Sequence, residues 1–118
     1  MSIDLIQTAK EMNFGDVHLK CDPKTGLIAI IAIHNTQLGP SLGGCRFQTY
    51  HSFDEAVTDA MRLARGMSYK SALAGLPLGG GKAVLLKPTG NDWDRKTLFE
   101  SFGRFVNEPM IGLITYLH

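Results

Sequence analysis

Leu27 to Ile33 reads LIAIIAI, seven residues that are apolar without a break. A strand with one wet face alternates apolar and polar side chains, so a run apolar at both parities belongs to a strand covered on both sides. Seven residues fall far short of the ~20 needed to span a bilayer, which removes the membrane alternative for this segment. The residues just before it make a partner strand. VHLKC from Val17 is followed by DPKTG, where Pro23 presets φ and Gly26 can take a positive φ, so a hairpin is expected. A sheet covered on both faces needs helices above and below it. The expected fold is therefore a three-layer α/β/α domain with a mixed sheet.

The helices that would supply those layers have their own signals. Ser2 can cap a short helix from Ile3 to about Met12, in which Leu5, Ile6 and Ala9 share a face. Gly39-Pro40 and Gly43-Gly44 punctuate the chain as a turn, and CRFQTY alternates as a third strand would. Ser52-Phe53-Asp54-Glu55 is a capping box, and Ala56, Ala60, Met61, Leu63, Ala64 and Met67 follow at helical spacing. That helix is expected to run to about Leu73, with Gly75 as its left-handed stop. LPLGGGKAVLLKP then reads as a glycine turn leading into a short buried strand, AVLL. Asp92 or Asp94 can cap a last helix carrying Leu98, Phe99, Phe102, Phe105 and Val106, with Pro109 beyond its end. The phenylalanines at this spacing read as core. No repeat or linker interrupts the order, so residues 1–118 are expected to form a single domain.

Size and charge narrow the function classes. With 118 residues and 44% hydrophobic content there is material for one core and not for two. The net charge of +1 comes from 12 basic and 11 acidic residues scattered along the chain, which creates no field for nucleic acid or an anionic membrane. Cys21 and Cys45 form no CxxC and follow no signal peptide, so a reducing, cytoplasmic setting is expected. His18, His34, His51 and His118 lack metal-ligand spacing, and each is expected to have an ordinary surface or strand role.

Gly79-Gly80-Gly81-Lys82 is the strongest local feature. Consecutive glycines cost backbone entropy, so they mark either a tight turn or a close approach of backbone to something else. A phosphate loop would need glycine six residues before the lysine and Ser or Thr after it, and here Leu76 and Ala83 occupy those positions. A nucleotide hydrolase is disfavoured on that ground. Lys82 is open to two readings: a strand-flanking lysine with its head in water, or a partly desolvated amine with a lowered pKa that acts as a base. Lys70, near the end of the long helix, could complement the helix dipole or hold a substrate carboxylate. Arg46, Arg62 and Arg65 read as a solvated face. Met12, Met61 and Met67 could form a flexible binding surface, although Met61 and Met67 fit the helix core stripe better.

Taken together, GLIAIIAIHNTQLGPSLGGCRF, DAMRLARGMSYKSALAGLPLGGGKAVLL and LFESFGRFVN resemble the Glu/Leu/Phe/Val dehydrogenase family, and within it the leucine dehydrogenases. The match runs from the hairpin to about Val106. The resemblance implies the amino-terminal domain of an oxidoreductase that passes a hydride from Cα of an L-amino acid to NAD, leaving the 2-oxo acid and ammonia. It also implies a homo-oligomer, because this domain supplies the substrate floor and most subunit contacts. Lys82, in LGGGK, then looks like the catalytic lysine that activates water for attack on the imino carbon. Lys70, in GMSYK, looks like the lysine that pairs with the substrate carboxylate. Gly43 and Gly44, in SLGG, match glycines beside the substrate, and Leu42 and Met67 match residues that shape its side-chain pocket. An apolar wall suits branched-chain amino acids and their catabolism, whereas a glutamate site would add a cation for the distal carboxylate.

The chain also departs from the family pattern. No GxGxxG occurs in it, so no Rossmann domain and no strong NAD site are expected in these residues. After Lys87 the small polar residue usual before proline is missing, which implies a slightly shortened loop. The family's ITAED segment aligns with Ile114-Thr115-Tyr116-Leu117-His118, which lacks the acid/base Asp, and the sequence diverges after Glu108. The expectation is a domain cut off before its cofactor half and without turnover by itself. The alternative is a non-catalytic oligomerisation module that has lost substrate binding.

Overall fold

The computed structural model describes residues 4–34, 41–108 and 113–117, with the backbone path alone for 41, 42 and 113–117. In chain order the elements are α1 (Leu5–Glu11), β1 (Asp16–Asp22), β2 (Leu27–Ile33), β3 (Ser41–Gln48), α2 (Phe53–Leu73), β4 (Gly79–Leu86), α3 (Arg95–Val106) and β5 (Leu113–Leu117). The five strands form one mixed sheet in the order β1-β2-β4-β3-β5. β2 runs antiparallel to both of its neighbours, β1 and β4, and β3 lies parallel to both β4 and β5.

Local chemistry accounts for most element ends. Asp4 caps α1 by accepting from Gln7 N at 3.1 Å; the expected Ser2 cap lies outside the described residues. Ser52 Oγ accepts from Glu55 N at 3.1 Å, as the capping box requires. At the other end of α2, Gly75 has φ +71° and Leu76 N donates to Ser71 O, the left-handed stop. Asp94, not Asp92, caps α3 by accepting from Thr97 N at 2.9 Å. Gly26 closes the β1–β2 turn with φ +81°, its N–H donating to Asp22 O.

Two strands start earlier than expected, and one strand was not expected at all. The third strand begins at Ser41 and ends at Gln48, so Gly43 and Gly44 lie inside β3 instead of in a turn. Likewise Gly79, Gly80 and Gly81 are the first residues of β4 and not the turn before it. Close packing explains both: a Cβ on Gly43 would overlap the Gly81 carbonyl, and one on Gly80 would overlap Ser68 N and Ala64 O. Residues 113–117 add a fifth strand, which local pattern did not signal.

Each face of the sheet carries its own core. On one, Leu27, Ala29, Ile31 and Ile33 of β2 and Ala83 and Leu85 of β4 pack with Leu98, Phe102 and Phe105 of α3. On the other, Ile30, Ala32 and Val84 pack with Ala56, Val57, Ala60, Met61 and Ala64 of α2, flanked by Met12 and Phe14. The two-faced apolar run is thus sandwiched between helices, and the three-layer architecture holds. The alanines of α2 bring that helix close enough to the sheet to require the glycine at position 80.

Candidate active site

Topology gathers the sequence-derived site residues at one rim of the sheet. The parallel β3 and β4 start together, with Ser41 opposite Gly79 and Leu42 opposite Gly80. β2 runs the other way, so its last residue, Ile33, lies opposite Gly81. α2 leaves the far end of β3 and returns to the start of β4, which brings its last turns to the same rim. Leu42, Gly43 and Gly44 therefore sit beside the glycine strand that carries Lys82, and Met67 and Lys70 lie on the helix above. Leu42 is placed by its backbone register only.

Lys82 leaves β4 on the α2 face, because Ala83 and Leu85 belong to the α3 core and Val84 to the α2 core. Only 9% of the residue is exposed. Burial pushes its pKa down, the charge of Arg46 adds to that, and Cys45 and Asp59 oppose it. Among the described residues Lys82 makes no ion pair. Lys70 is exposed in the last turn of α2, where its carbonyl also accepts from Ala74 N at the cap. Met61 is fully buried, but Met67 is half-buried and belongs to neither core cluster, so the core-stripe reading of Met67 fails.

Two further features were not drawn from the sequence as site elements. His34, 6% exposed, has a more specific role than the ordinary strand one expected of it. Its backbone N–H donates to Gly80 O at 2.8 Å, and its ring nitrogens lie 2.8 Å from Ser68 Oγ and 3.0 Å from the Met12 carbonyl oxygen. A carbonyl only accepts, so Nε2 carries the proton and Nδ1 accepts from the Ser68 hydroxyl. The available signal was position: a polar residue directly ending a strand buried on both faces. The second feature is Asp59 of α2, which accepts from Tyr50 OH at 2.5 Å and pairs with Arg46 at 3.2 Å and Arg62 at 3.4 Å. Burial raises the Asp59 pKa, but the Tyr50 hydrogen bond and the two arginines outweigh it and the net shift is downward. Arg46 and Arg62 are thus partners in a cluster and not simply a solvated face.

The space beside Gly80 is filled by α2 backbone, and the space beside Gly43 of β3 is filled by the Gly81 carbonyl of β4. Among the described residues, no group of three or more His, Cys, Asp or Glu could hold a metal ion, and no helix is long and apolar enough to cross a membrane.

Comparison with known proteins decides the family. Residues 11–115 match the family described as Glu/Leu/Phe/Val dehydrogenase, dimerisation domain. The chain belongs to the Glu/Leu/Phe/Val dehydrogenases. As a Glu/Leu/Phe/Val dehydrogenase domain it is 47% identical to leucine dehydrogenase of Geobacillus stearothermophilus over 104 residues, 88% of this chain and 28% of that protein. It is 55% identical to phenylalanine dehydrogenase of Caldalkalibacillus thermarum over 85 residues, 72% of this chain and 23% of that protein. Its structure superposes on L-tryptophan dehydrogenase from Nostoc punctiforme with a TM-score of 0.86 at 38% identity, covering 95% of this chain and 34% of that one. The chain thus spans roughly a quarter of the length of these curated relatives.

Proposed function

We propose that this domain is the substrate-binding and assembly part of an NAD-dependent dehydrogenase that oxidatively deaminates a branched-chain L-amino acid to its 2-oxo acid and ammonia. The observation that carries the reading is Lys82, a residue 9% exposed on a glycine strand, at the rim where α2 also presents Lys70. Desolvation favours the neutral amine, which is the form a general base needs. Lys82 then takes a proton from water as the water oxygen adds to the imino carbon and the C=N electron pair moves onto nitrogen. Lys70, charged and exposed, holds the substrate carboxylate. Gly43 and Gly44 let the substrate approach the backbone, and Leu42 and Met67 bound its side chain.

NAD is the hydride acceptor in this reading, and no step is assigned to it on these residues. We infer that the 118 residues alone give no turnover, that they self-associate as a homo-oligomer, and that they work in the cytoplasm. The two free cysteines, one of them exposed, support a reducing setting. An aromatic substrate is the second reading, favoured by the 55% identity to a phenylalanine dehydrogenase.

Thermal-shift titration of the 118-residue chain separates these readings. Leucine and 2-oxoisocaproate are expected to raise the melting temperature, phenylalanine to do so less, and Lys70→Ala to abolish the effect. Stabilisation by phenylalanine alone would move the assignment to aromatic substrates. No stabilisation by any of them, together with a discrete dimer or larger species in light scattering, would leave an assembly module without a substrate site.

A further inference from the structure

On the α2 side of the sheet, Lys82 shares its surroundings with a second fixed cation. Arg46 lies opposite Val84 in the β3–β4 register, and Lys82 precedes Val84 by two residues on the same face. Strands about 4.8 Å apart with a rise of about 3.3 Å per residue put the two backbone positions roughly 8 Å apart. Arg46 is held in place: Asp59 of α2 lies 3.2 Å from its guanidinium, and Asp59 is fixed in turn by Tyr50 OH and by Arg62. The cluster bridges β3, the loop after it and α2, beside the strand that carries the amine.

We propose that Arg46 and Asp59 are positioning residues of opposite sign that set the charge state of Lys82, Arg46 favouring the neutral amine and Asp59 restraining that effect. The inference rests on the proposed role of Lys82 as a base. Two like charges carried on one face of neighbouring strands, from backbone positions roughly 8 Å apart, repel across a partly buried layer, so each disfavours the other's ionised form. Arg46 keeps its charge at any accessible pH, so the lysine is the partner that yields. Asp59 offsets part of the arginine's field and thereby bounds the effect.

Among the described residues, the other groups around Lys82 do not supply this control. Cys45, next to Arg46 on β3, has its thiol pushed up to about 11 by burial, so it is uncharged near neutrality. Tyr50 is pushed upward by burial and by Asp59, and is likewise neutral. From β2 the cross-strand neighbour is Ala32, and from α2 Ala60 and Ala64 are apolar. His34 and Ser68, at the rim beyond Gly80, are bonded to each other. Arg62 faces Asp59 on its own helix.

The test reads Lys82 directly. The intact 118-residue chain, with its lysines 13C-labelled at Cε, is titrated by NMR, the Lys82 signal being assigned by its loss in Lys82→Arg. Arg46→Met is expected to move the Lys82 midpoint upward by about half a pH unit, and Asp59→Asn to move it downward by a similar amount. Arg46→Lys, which keeps the charge, should stay near the parent. A role confined to packing predicts something else: loosening either side admits water and moves both midpoints upward. Unmoved midpoints, or movement in the same direction in both variants, would overturn the proposal. Should Asp59→Asn fail to fold, the contrast between Arg46→Met and Arg46→Lys decides, since the Arg46 side chain is 40% exposed and tolerates exchange. The titration needs no substrate. Opposite shifts without leucine binding would sink the assigned function alone, and leucine binding with unmoved midpoints would sink this inference alone.

Discussion

His34 Nδ1 accepts a hydrogen bond from Ser68 Oγ at 2.8 Å, tying the end of β2 to the last turns of α2. The same histidine donates its backbone N–H to Gly80 O, so α2, the end of β2 and the glycine strand β4 are joined at the rim where Lys82 and Lys70 lie. Ser68→Ala would remove this hydroxyl from the buried ring nitrogen. It is expected to destabilise the domain by about 1–3 kcal/mol, measured by urea unfolding. A loss below a few tenths would mean that the bond has no part in holding the rim together.

Glycine substitutions should divide sharply by position. Gly80→Ala drives a methyl into Ser68 N and Ala64 O, both backbone or close to it, so α2 must lift from the sheet. The cost of such overpacking is about 1–3 kcal/mol or more. Gly66, in the middle of α2, has nothing within 4 Å of where its Cβ would stand. Gly66→Ala is therefore expected to stabilise the domain by about 0.5–1 kcal/mol. Equal effects in a thermal melt would refute the close-approach account of the glycine run.

Lys82 should make stability depend on alkaline pH. Its folded pKa lies below the ordinary 10.5, chiefly through burial, so the unfolded chain binds more protons across the interval between the two values. Stability then rises as pH climbs through that interval and is depressed below it. Lys82→Met is expected to be more stable than the parent near neutrality, with the difference shrinking as pH approaches 10.5. Parallel stability curves for the two proteins would contradict a buried amine with a lowered pKa.

Asp59 should act at the acid end. Its folded pKa lies below 3.8, since the Tyr50 hydrogen bond and the two arginines outweigh the opposing effect of burial. The stability it contributes is fully present above 3.8 and is lost as pH falls through the lower folded value. Asp59→Asn should flatten the acid limb of a stability-against-pH curve, read by circular dichroism. An unchanged limb would assign the acid response to other carboxylates.

The sequence by itself determined the elements whose causes lie within a few residues. LIAIIAI specified a strand covered twice, Ser52 and Glu55 the start of α2, Gly75 its end, and these imposed the three layers. Motif order along the chain also carried the family, because GMSYK, LGGGK and SLGG are contiguous words. Tertiary structure alone decided what the glycines are for, since a strand and a turn of three glycines look alike until α2 and β3 are seen pressed against them. It alone set how far Lys82 is buried, because burial is a property of the α2 layer above the lysine and not of its neighbours in sequence. The partnerships of His34 with Ser68 and of Arg46 with Asp59 join residues 34 and 13 positions apart. No local propensity encodes such pairs; they follow from strand register and from the face each helix turns to the sheet.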